Sequence, residues 1–225
     1  DLGISVNVHN FEKDINENDL FKLINQLNND KSVDGIMVQL PMPEHINESK
    51  VLESILPSKD VDGLTSTNLG KIFKNDSSAI APATAKGVIK LLDKYDIQIE
   101  GKNAVVVGRG DISGLPIAAM LQNMNATITI CHSHTQGLKD ICKDADILVS
   151  SIGRAEYINS EYIKNGSIVI DVGTNRNSEG KLVGDVDFNS VKDIAGYITP
   201  VPGGVGPMTI ACLFDNLFEM YKRNV

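Results

Sequence analysis

From Asn103 onward the chain alternates between short apolar runs and longer segments with helical spacing. Asn103 to Gly108 (NAVVVG) is an almost continuous apolar run, followed by a glycine loop and a helical pattern over 116–124 with Pro116 near its start. Ala126 to Cys131 (ATITIC), Ala145 to Ser150 (ADILVS) and Ser167 to Val172 (SIVIDV) read as further strands, with a short fifth at Tyr197 to Thr199. The stretches near 136–143 and 159–165 fit short helices between them. Strands separated by helix-length crossovers predict a parallel sheet covered on both faces, because hairpins cannot join parallel neighbours. Residues 84–203 are therefore expected to form a doubly wound, Rossmann-type nucleotide-binding domain.

The first 83 residues give a sparser pattern. Ile4 to His9 alternates as a strand does, and Val33 to Leu40 (VDGIMVQL) reads as a second strand. Leu20, Ile24 and Leu27 share one face of a helix over 19–27, and 49–56 fits another. Two strands alone are marginal in water, so this α/β region calls for further partners, from upstream of Asp1 or from elsewhere in the chain. The final helix, Met208 to Arg223, follows a glycine-rich loop and can return to pack on it. The expected division is 1–83 for a first domain incomplete at its N-terminus, 84–203 for the nucleotide domain, and 204–225 for the returning helix.

Composition narrows the function classes. The formal net charge of −8 gives no support to a nucleic-acid-coating role. No apolar run is long enough to span a membrane, and the first thirty residues lack the basic-then-apolar order of a secretory signal. Three cysteines, Cys131, Cys142 and Cys212, make an odd count without short metal-type spacing. That usage points to free thiols in a reducing, cytoplasmic setting.

Gly108 to Gly114 (GRGDISG) sits where a strand ends and a helix begins. Glycines there permit a tight turn and close approach of backbone to a pyrophosphate, whose charge the helix N-terminus stabilises. The spacing is one residue longer than the common dinucleotide fingerprint, and taken alone it also fits a plain strand-to-helix turn. An NAD site usually places an acid at the end of the second strand, but here that strand ends in Cys131-His132-Ser133-His134-Thr135. Arg109 and Ser133 instead suit a 2′-phosphate, which favours NADP, although each is also an ordinary surface or turn residue. Cys131, His132 and His134 make a poor metal site, since alternating side chains diverge at a strand end, and no metal is expected.

Several segments occur together in a fixed order: VQLPMP (38–43), KDVDGL (59–64), GKNAVVVGRGDISGLP (101–116), CHSHT (131–135), DVGTN (171–175), GDVDF (184–188) and TPVPGGVGPMT (199–209). With them the chain closely resembles the bifunctional methylenetetrahydrofolate dehydrogenase/methenyltetrahydrofolate cyclohydrolase (FolD) family. The resemblance implies an NADP domain and an α/β folate-binding catalytic domain closed by the C-terminal helix. It implies oxidation of 5,10-methylenetetrahydrofolate to 5,10-methenyltetrahydrofolate with NADP, then hydrolysis to 10-formyltetrahydrofolate, in one cleft. Asp62 matches the pterin-binding acid, Gln39 the glutamine that positions a catalytic amine, and Pro202, Gly203 and Gly204 the loop beneath folate and nicotinamide. Thr84, Gly108, Arg109, Gly110, Ser133, Gly173 and Asn175 match cofactor positions. On the residues alone, Asp60 and Asp62 would be read as a turn before Gly63, and Gln39 as a polar strand end.

The chain departs from the family pattern at three places. Pro82-Ala83-Thr84-Ala85-Lys86-Gly87 lacks the usual Cys and second Pro, and Gly110 stands where a serine normally follows the loop arginine. The family's catalytic lysine lies in a Tyr-x-x-x-Lys helix just before a segment like Asp1-Leu2-Gly3-Ile4, and no such motif occurs in these residues; Lys13, Lys22 and Lys31 do not match it. The chain opens without an initiator Met, as a truncated or processed product would. A chain of this length is thus expected to have little or no cyclohydrolase activity. The family is typically homodimeric, and the exposed apolar positions of the first region fit an interface. A non-catalytic nucleotide-binding relative is the alternative, favoured by Ala83, Ala85 and Gly110 but leaving Gln39 and Asp62 without purpose; a different two-domain NAD(P) dehydrogenase has no use for KDVDG and VPGGVGP.

Overall fold

The computed structural model describes residues 3–224. Its centre is a five-stranded parallel sheet in the order β2-β1-β3-β4-β7, formed by β1 (Asn103–Val107), β2 (Thr127–Cys131), β3 (Ile147–Ser150), β4 (Ile168–Asp171) and β7 (Tyr197–Ile198). All five expected strands are present, with ends trimmed by a residue or two. A two-stranded antiparallel hairpin, β5 (Asn175–Arg176) and β6 (Leu182–Val183), is inserted after β4.

After Asn103 the β1 run is apolar because its two faces feed two different cores. Ala104 and Val106 pack with α4 (Ala83–Lys94) and α5 (Gly114–Asn123) on one side. Val105 and Val107 pack on the other with Cys131, Cys142 of α6 (Leu138–Lys143), Tyr162 and Val191 of α7 (Phe188–Val191). The segment near 159–165 is a single 3-10 turn, Ser160–Tyr162, capped by the Asn159 side chain accepting from the Glu161 N–H. Cys131, Cys142 and Cys212 are buried free thiols.

The first region corrects the strand expectations. Neither 4–9 nor 33–40 forms a strand among the described residues; Ile36 makes one parallel bridge to Asp60, and Val6 and Val8 are 69% and 73% exposed. Alternating residues suit a strand, but a strand exists only where a neighbour completes its ladder. The helices fare better: α1 (Glu17–Asn29) and α2 (Glu48–Glu53) bury Ile24 and Val51 against Ile36, Ile46 and Ile55. Asn16 and Asn47 cap them by accepting from the N–H groups of Asn18 and Lys50.

Two helices that the apolar spacing does not single out are α3 (Ser66–Phe73) and α4. The α4 contact face is built largely from small residues, Ala83, Ala85 and Gly87, which let another helix approach closely rather than mark an apolar stripe. A Cβ on Gly87 would lie 3.2 Å from both the Met208 carbonyl carbon and its Cβ. That neighbour is α8 (Val205–Asn224), which starts earlier than its predicted first turn at Met208. Met220 of α8 packs with Val61 and Ile80, and the Arg223 guanidinium donates to the Ser78 carbonyl, so the helix does return to the region before α4. Among the described residues, no helix is long and apolar enough to cross a membrane.

Candidate active site

At the carboxyl edge of the sheet, β1 and β3 are neighbours, while the chain leaves β1 toward β2 on the opposite side. Such a reversal opens a crevice where doubly wound sheets take ligands. Gly108 enters it at φ +121°, with its N–H donating to the Cys131 carbonyl at 2.9 Å. A Cβ there would meet the Ser151 carbonyl oxygen, and one on Gly114 would meet the Gly108 carbonyl, so both glycines allow backbone to pack on backbone. Ser113 occupies the N-cap position of α5, yet its hydroxyl bonds the Ser151 hydroxyl at 2.6 Å instead of capping the helix. The α5 N-terminus thus lacks a side-chain cap and suits an anion.

Val107 and Cys131 are register partners, so Arg109 and Ser133 each lie two residues past the same rung. Both are exposed, and neither side chain has a hydrogen-bond or ion-pair partner among the described residues. Open space surrounds a Cβ built on Gly110. His132 belongs to the turn itself: its Nδ1 accepts from the His134 N–H at 3.2 Å, and its backbone N–H donates to the Thr135 hydroxyl.

Gly173 and Asn175 sit on a buried acidic network. Asp171 accepts from the N–H groups of Gly173, Asp185 and Val186, and burial pushes its carboxyl up to about 6 despite those bonds. Asp185 accepts from the N–H groups of Ile152 and Arg154 and from the Asn175 amide. The two aspartates tie the turns after β3 and β4 to the β5–β6 hairpin. A Cβ on Gly173 would fall 2.3 Å from the Asp185 carboxyl, so only glycine fits.

The second cluster centres on the turn 59–64, whose two acids divide the possible roles between them. Asp60 accepts from the N–H groups of Leu64 and Thr65 and from the Asn68 amide, and is 2% exposed; it builds the turn. The half-buried Asp62 carboxylate has no hydrogen-bond partner among the described residues. Burial, with the nearby Asp60 charge, raises it to about 6. The parallel bridge at Ile36 and Asp60 sends both segments the same way, so the exposed Gln39 and the half-buried Asp62 leave it together. Gln39 donates to the Leu40 carbonyl at 3.0 Å. The Asp62 carbonyl accepts from Ala83 at the start of α4, and the next residue, Thr84, accepts from the Thr209 hydroxyl of α8 at 3.3 Å. Asp62 and Thr84 thereby share the N-terminal end of α4, and Thr84 ties that end to the second turn of α8, the helix into which the 202–204 loop leads. Pro202 and Gly203 are exposed, and Gly204 is buried, its Cα packed too closely on the Pro200 carbonyl for a side chain.

The sequence profile described as "Tetrahydrofolate dehydrogenase/cyclohydrolase, catalytic domain" matches residues 1–62, and its "NAD(P)-binding domain" counterpart matches 82–225. The chain belongs to the tetrahydrofolate dehydrogenase/cyclohydrolase family. It is 50% identical to the "Bifunctional protein FolD" of Ligilactobacillus salivarius, covering 100% of this chain and 78% of the relative, and 51% identical to that of Clostridium novyi, covering 98% and 79%. Among solved structures, the bifunctional FolD enzyme of Campylobacter jejuni matches with a TM-score of 0.92 at 47% identity, over 95% of this chain and 76% of that one. The Trypanosoma brucei FolD, solved with NADP cofactor and inhibitor, matches at 0.88 and 41%, over 94% and 74%.

Ala83 and Ala85 are fully packed, while Pro82 and Thr84 keep the positions at the helix start. Asp171, Asp185 and Ser151 brace the turns around Gly108 and Gly173 without standing out in sequence, although DVGTN and GDVDF are visible motifs. The available signal was an acid two residues before a strand-end glycine, which is too common to interpret without knowing that the two segments meet.

Proposed function

We propose that this protein oxidises 5,10-methylenetetrahydrofolate to 5,10-methenyltetrahydrofolate with NADP and, when joined to a Tyr-x-x-x-Lys segment, hydrolyses the product to 10-formyltetrahydrofolate. Residues 1–83 would form the folate-binding catalytic domain, 84–203 the NADP domain, and 204–225 the returning helix, in a cytoplasmic homodimer. Light scattering that shows a monomer at micromolar concentration would overturn the dimer. The observation that carries the reading is the pairing of an Asp62 carboxylate with no hydrogen-bond partner among the described residues, beside the start of α4, with an uncapped α5 N-terminus behind a glycine loop. The first suits the N–H groups of a pterin ring, and the second suits a pyrophosphate.

NADP, when bound, supplies the hydride acceptor. The chain's own contribution is placement. Gly108, Gly110 and the first turn of α5 would cradle the pyrophosphate, and Arg109 with Ser133 would offer charged and hydroxyl donors to the 2′-phosphate. Gly173 and Asn175, held by the two aspartates, would border the crevice beside them, with Thr84 at the junction of the lobes. Asp62 would orient the pterin, and Pro202, Gly203 and Gly204 would present a side-chain-free floor on which the reacting rings lie close together.

Arg109→Ser is expected to raise the KM for NADP by about tenfold while leaving that for NAD within about twofold, because a charge-assisted contact to the phosphate is lost. Gly110→Ser should act oppositely, since the space around Gly110 admits the hydroxyl. Steady-state kinetics with both cofactors check this, and an unchanged NADP/NAD ratio in Arg109→Ser would remove the 2′-phosphate assignment.

The hydrolytic step calls for an amine that can manage a proton at the methenyl carbon. Lys59, inside the KDVDG motif, is buried and donates to the Leu27 and Asp30 carbonyls, while Lys86 is engaged by Asp215 and Glu219. A protein confined to these 225 residues is therefore expected to hydrolyse the methenyl compound no faster than buffer. The same protein extended by a Tyr-x-x-x-Lys segment should do so efficiently. The absorbance of the methenyl chromophore follows both, and a fast rate in the 225-residue protein would refute the expectation.

A further inference from the structure

We propose that Asn216, in the middle of α8, is a positioning residue that sets the Asp62 wall of the folate site against the 202–204 loop. It interrupts an otherwise apolar helix face: Leu213, Leu217 and Met220 pack with Val61 and Ile80, and Asn216 lies among them at 0% exposure. A buried amide in such a place must have its hydrogen bonds made, and all three strong ones are present. Its Nδ2 donates to the Val61 and Ala81 carbonyls, both at 2.9 Å, and its Oδ1 accepts from the Lys86 ammonium at 2.9 Å.

The two carbonyls are what give the contact a functional meaning. Val61 immediately precedes Asp62, and Ala81 precedes Pro82, the residue that opens α4. Between them the backbone of Gly63 is pressed against Ile80 and Ala81, where no side chain would fit. One amide therefore clamps both sides of the turn that presents Asp62. Lys86, held by Asp215 and Glu219 as well, fixes the amide's other end from α4.

The same helix carries the opposite wall. Its first turn follows directly on Gly203 and Gly204, and Val205 and Asn216 are eleven residues apart, about 16 Å of rigid helix. Asn216 touches neither ligand. It converts α8 into a spacer whose N-terminal end delivers the loop and whose middle delivers the carboxylate, so that the two meet the folate at a set separation.

This inference rests on the folate-binding reading of Asp62, and the experiment separates the two. In the full-length gene product, Asn216→Asp keeps an acceptor for Lys86 but replaces the donor to Val61 and Ala81 with a second acceptor. It is expected to raise the KM for methylenetetrahydrofolate about tenfold and leave the KM for NADP within about twofold. Lys86→Gln, which leaves both Asn216 donors in place, should raise the folate KM by less. Leu92→Ala, a core truncation on the nucleotide side, serves as the stability control and should lower the melting temperature without changing either KM.

Asn216→Asp is also measured in an Asp62→Asn background, where its effect on the folate KM should largely vanish, because a positioning residue has nothing left to position. If Asp62→Asn leaves the folate KM unchanged, the Asp62 reading fails. If Asp62→Asn raises it and Asn216→Asp does not, or the two effects simply multiply, the positioning role fails. Failure of both Asn216→Asp and Lys86→Gln to fold, with Leu92→Ala folding, makes the cluster a stability element and overturns the proposal equally.

Discussion

Gly108→Ala is expected to abolish NADP binding and to lower the melting temperature by about 10 °C. The residue sits at φ +121°, a backbone conformation that strains any L side chain, at a cost of order 1–3 kcal/mol. Its Cβ would also fall 2.0 Å from the Ser151 carbonyl oxygen. That oxygen has nowhere to retreat. Ser151 is fixed by its N–H donating to the Val107 carbonyl and by its hydroxyl bonding Ser113, and Gly108 is fixed by its bond to Cys131. Either β1 and β3 separate at their carboxyl ends or the phosphate loop reorganises, and overpacking of this kind adds about 1–3 kcal/mol. For a chain of this size the sum corresponds to roughly 10 °C. Calorimetry and titration with NADP would measure both effects. Wild-type affinity in a folded Gly108→Ala protein would show that the loop is not the pyrophosphate site. Gly110→Ala, two residues on, should be nearly silent in stability because nothing lies within 4 Å of its Cβ.

Asp62→Asn should reduce kcat/KM for methylenetetrahydrofolate by about a hundredfold, the scale of losing charge-assisted hydrogen bonds in a partly buried site. The same substitution should stabilise the free protein above pH 6. Folded Asp62 titrates near 6, raised by burial and then by Asp60, against an ordinary 3.8. A raised carboxyl contributes most to stability below 3.8, loses that contribution progressively between 3.8 and about 6, and above 6 carries an ionised group that folding has to desolvate. Asn never ionises. Its advantage should therefore be absent near pH 4, grow through that window and level off above it. Binding follows the opposite logic, since N–H donors on a pterin favour the carboxylate, so wild-type folate affinity should strengthen as pH rises through about 6. Melting curves and folate KM values between pH 4 and 8 test both signs. A variant that loses activity without gaining stability at pH 8 would place Asp62 in an internal contact rather than against the folate.

These two residues show why some of the site was legible and some was not. A strand running into Gly108, Arg109 and Gly110 at the start of a helix declares itself in sequence, because local geometry imposes the glycines. The turn 59–64 does not. Asp60 and Asp62 are chemically identical and two positions apart, and local reading makes both of them turn residues. Their difference comes from Asn68, Leu64 and Thr65 converging on Asp60, while no donor among the described residues reaches the Asp62 carboxylate.

Local pattern was enough to read the five parallel strands, the glycine loop after β1 and, through the ordered motifs, the family. Those are local matters: apolar periodicity and glycine spacing act within a dozen residues, and neighbouring strands in this sheet follow from the crossovers that link them. Assembly of the whole chain selected which alternating segments became strands, since Ile4–His9 and Val33–Leu40 carry the pattern but lack a ladder partner among the described residues. It also decided which polar residues serve as scaffold. Asn216 looks like an error in an apolar helix face until the Val61 and Ala81 carbonyls and Lys86 arrive from 130 to 155 positions away in the chain. Asp171 and Asp185 become one network only when the β5–β6 hairpin folds back over β4. Burial is a property of the assembled chain, and a polar group declares its role only after burial has made an unmatched hydrogen bond expensive.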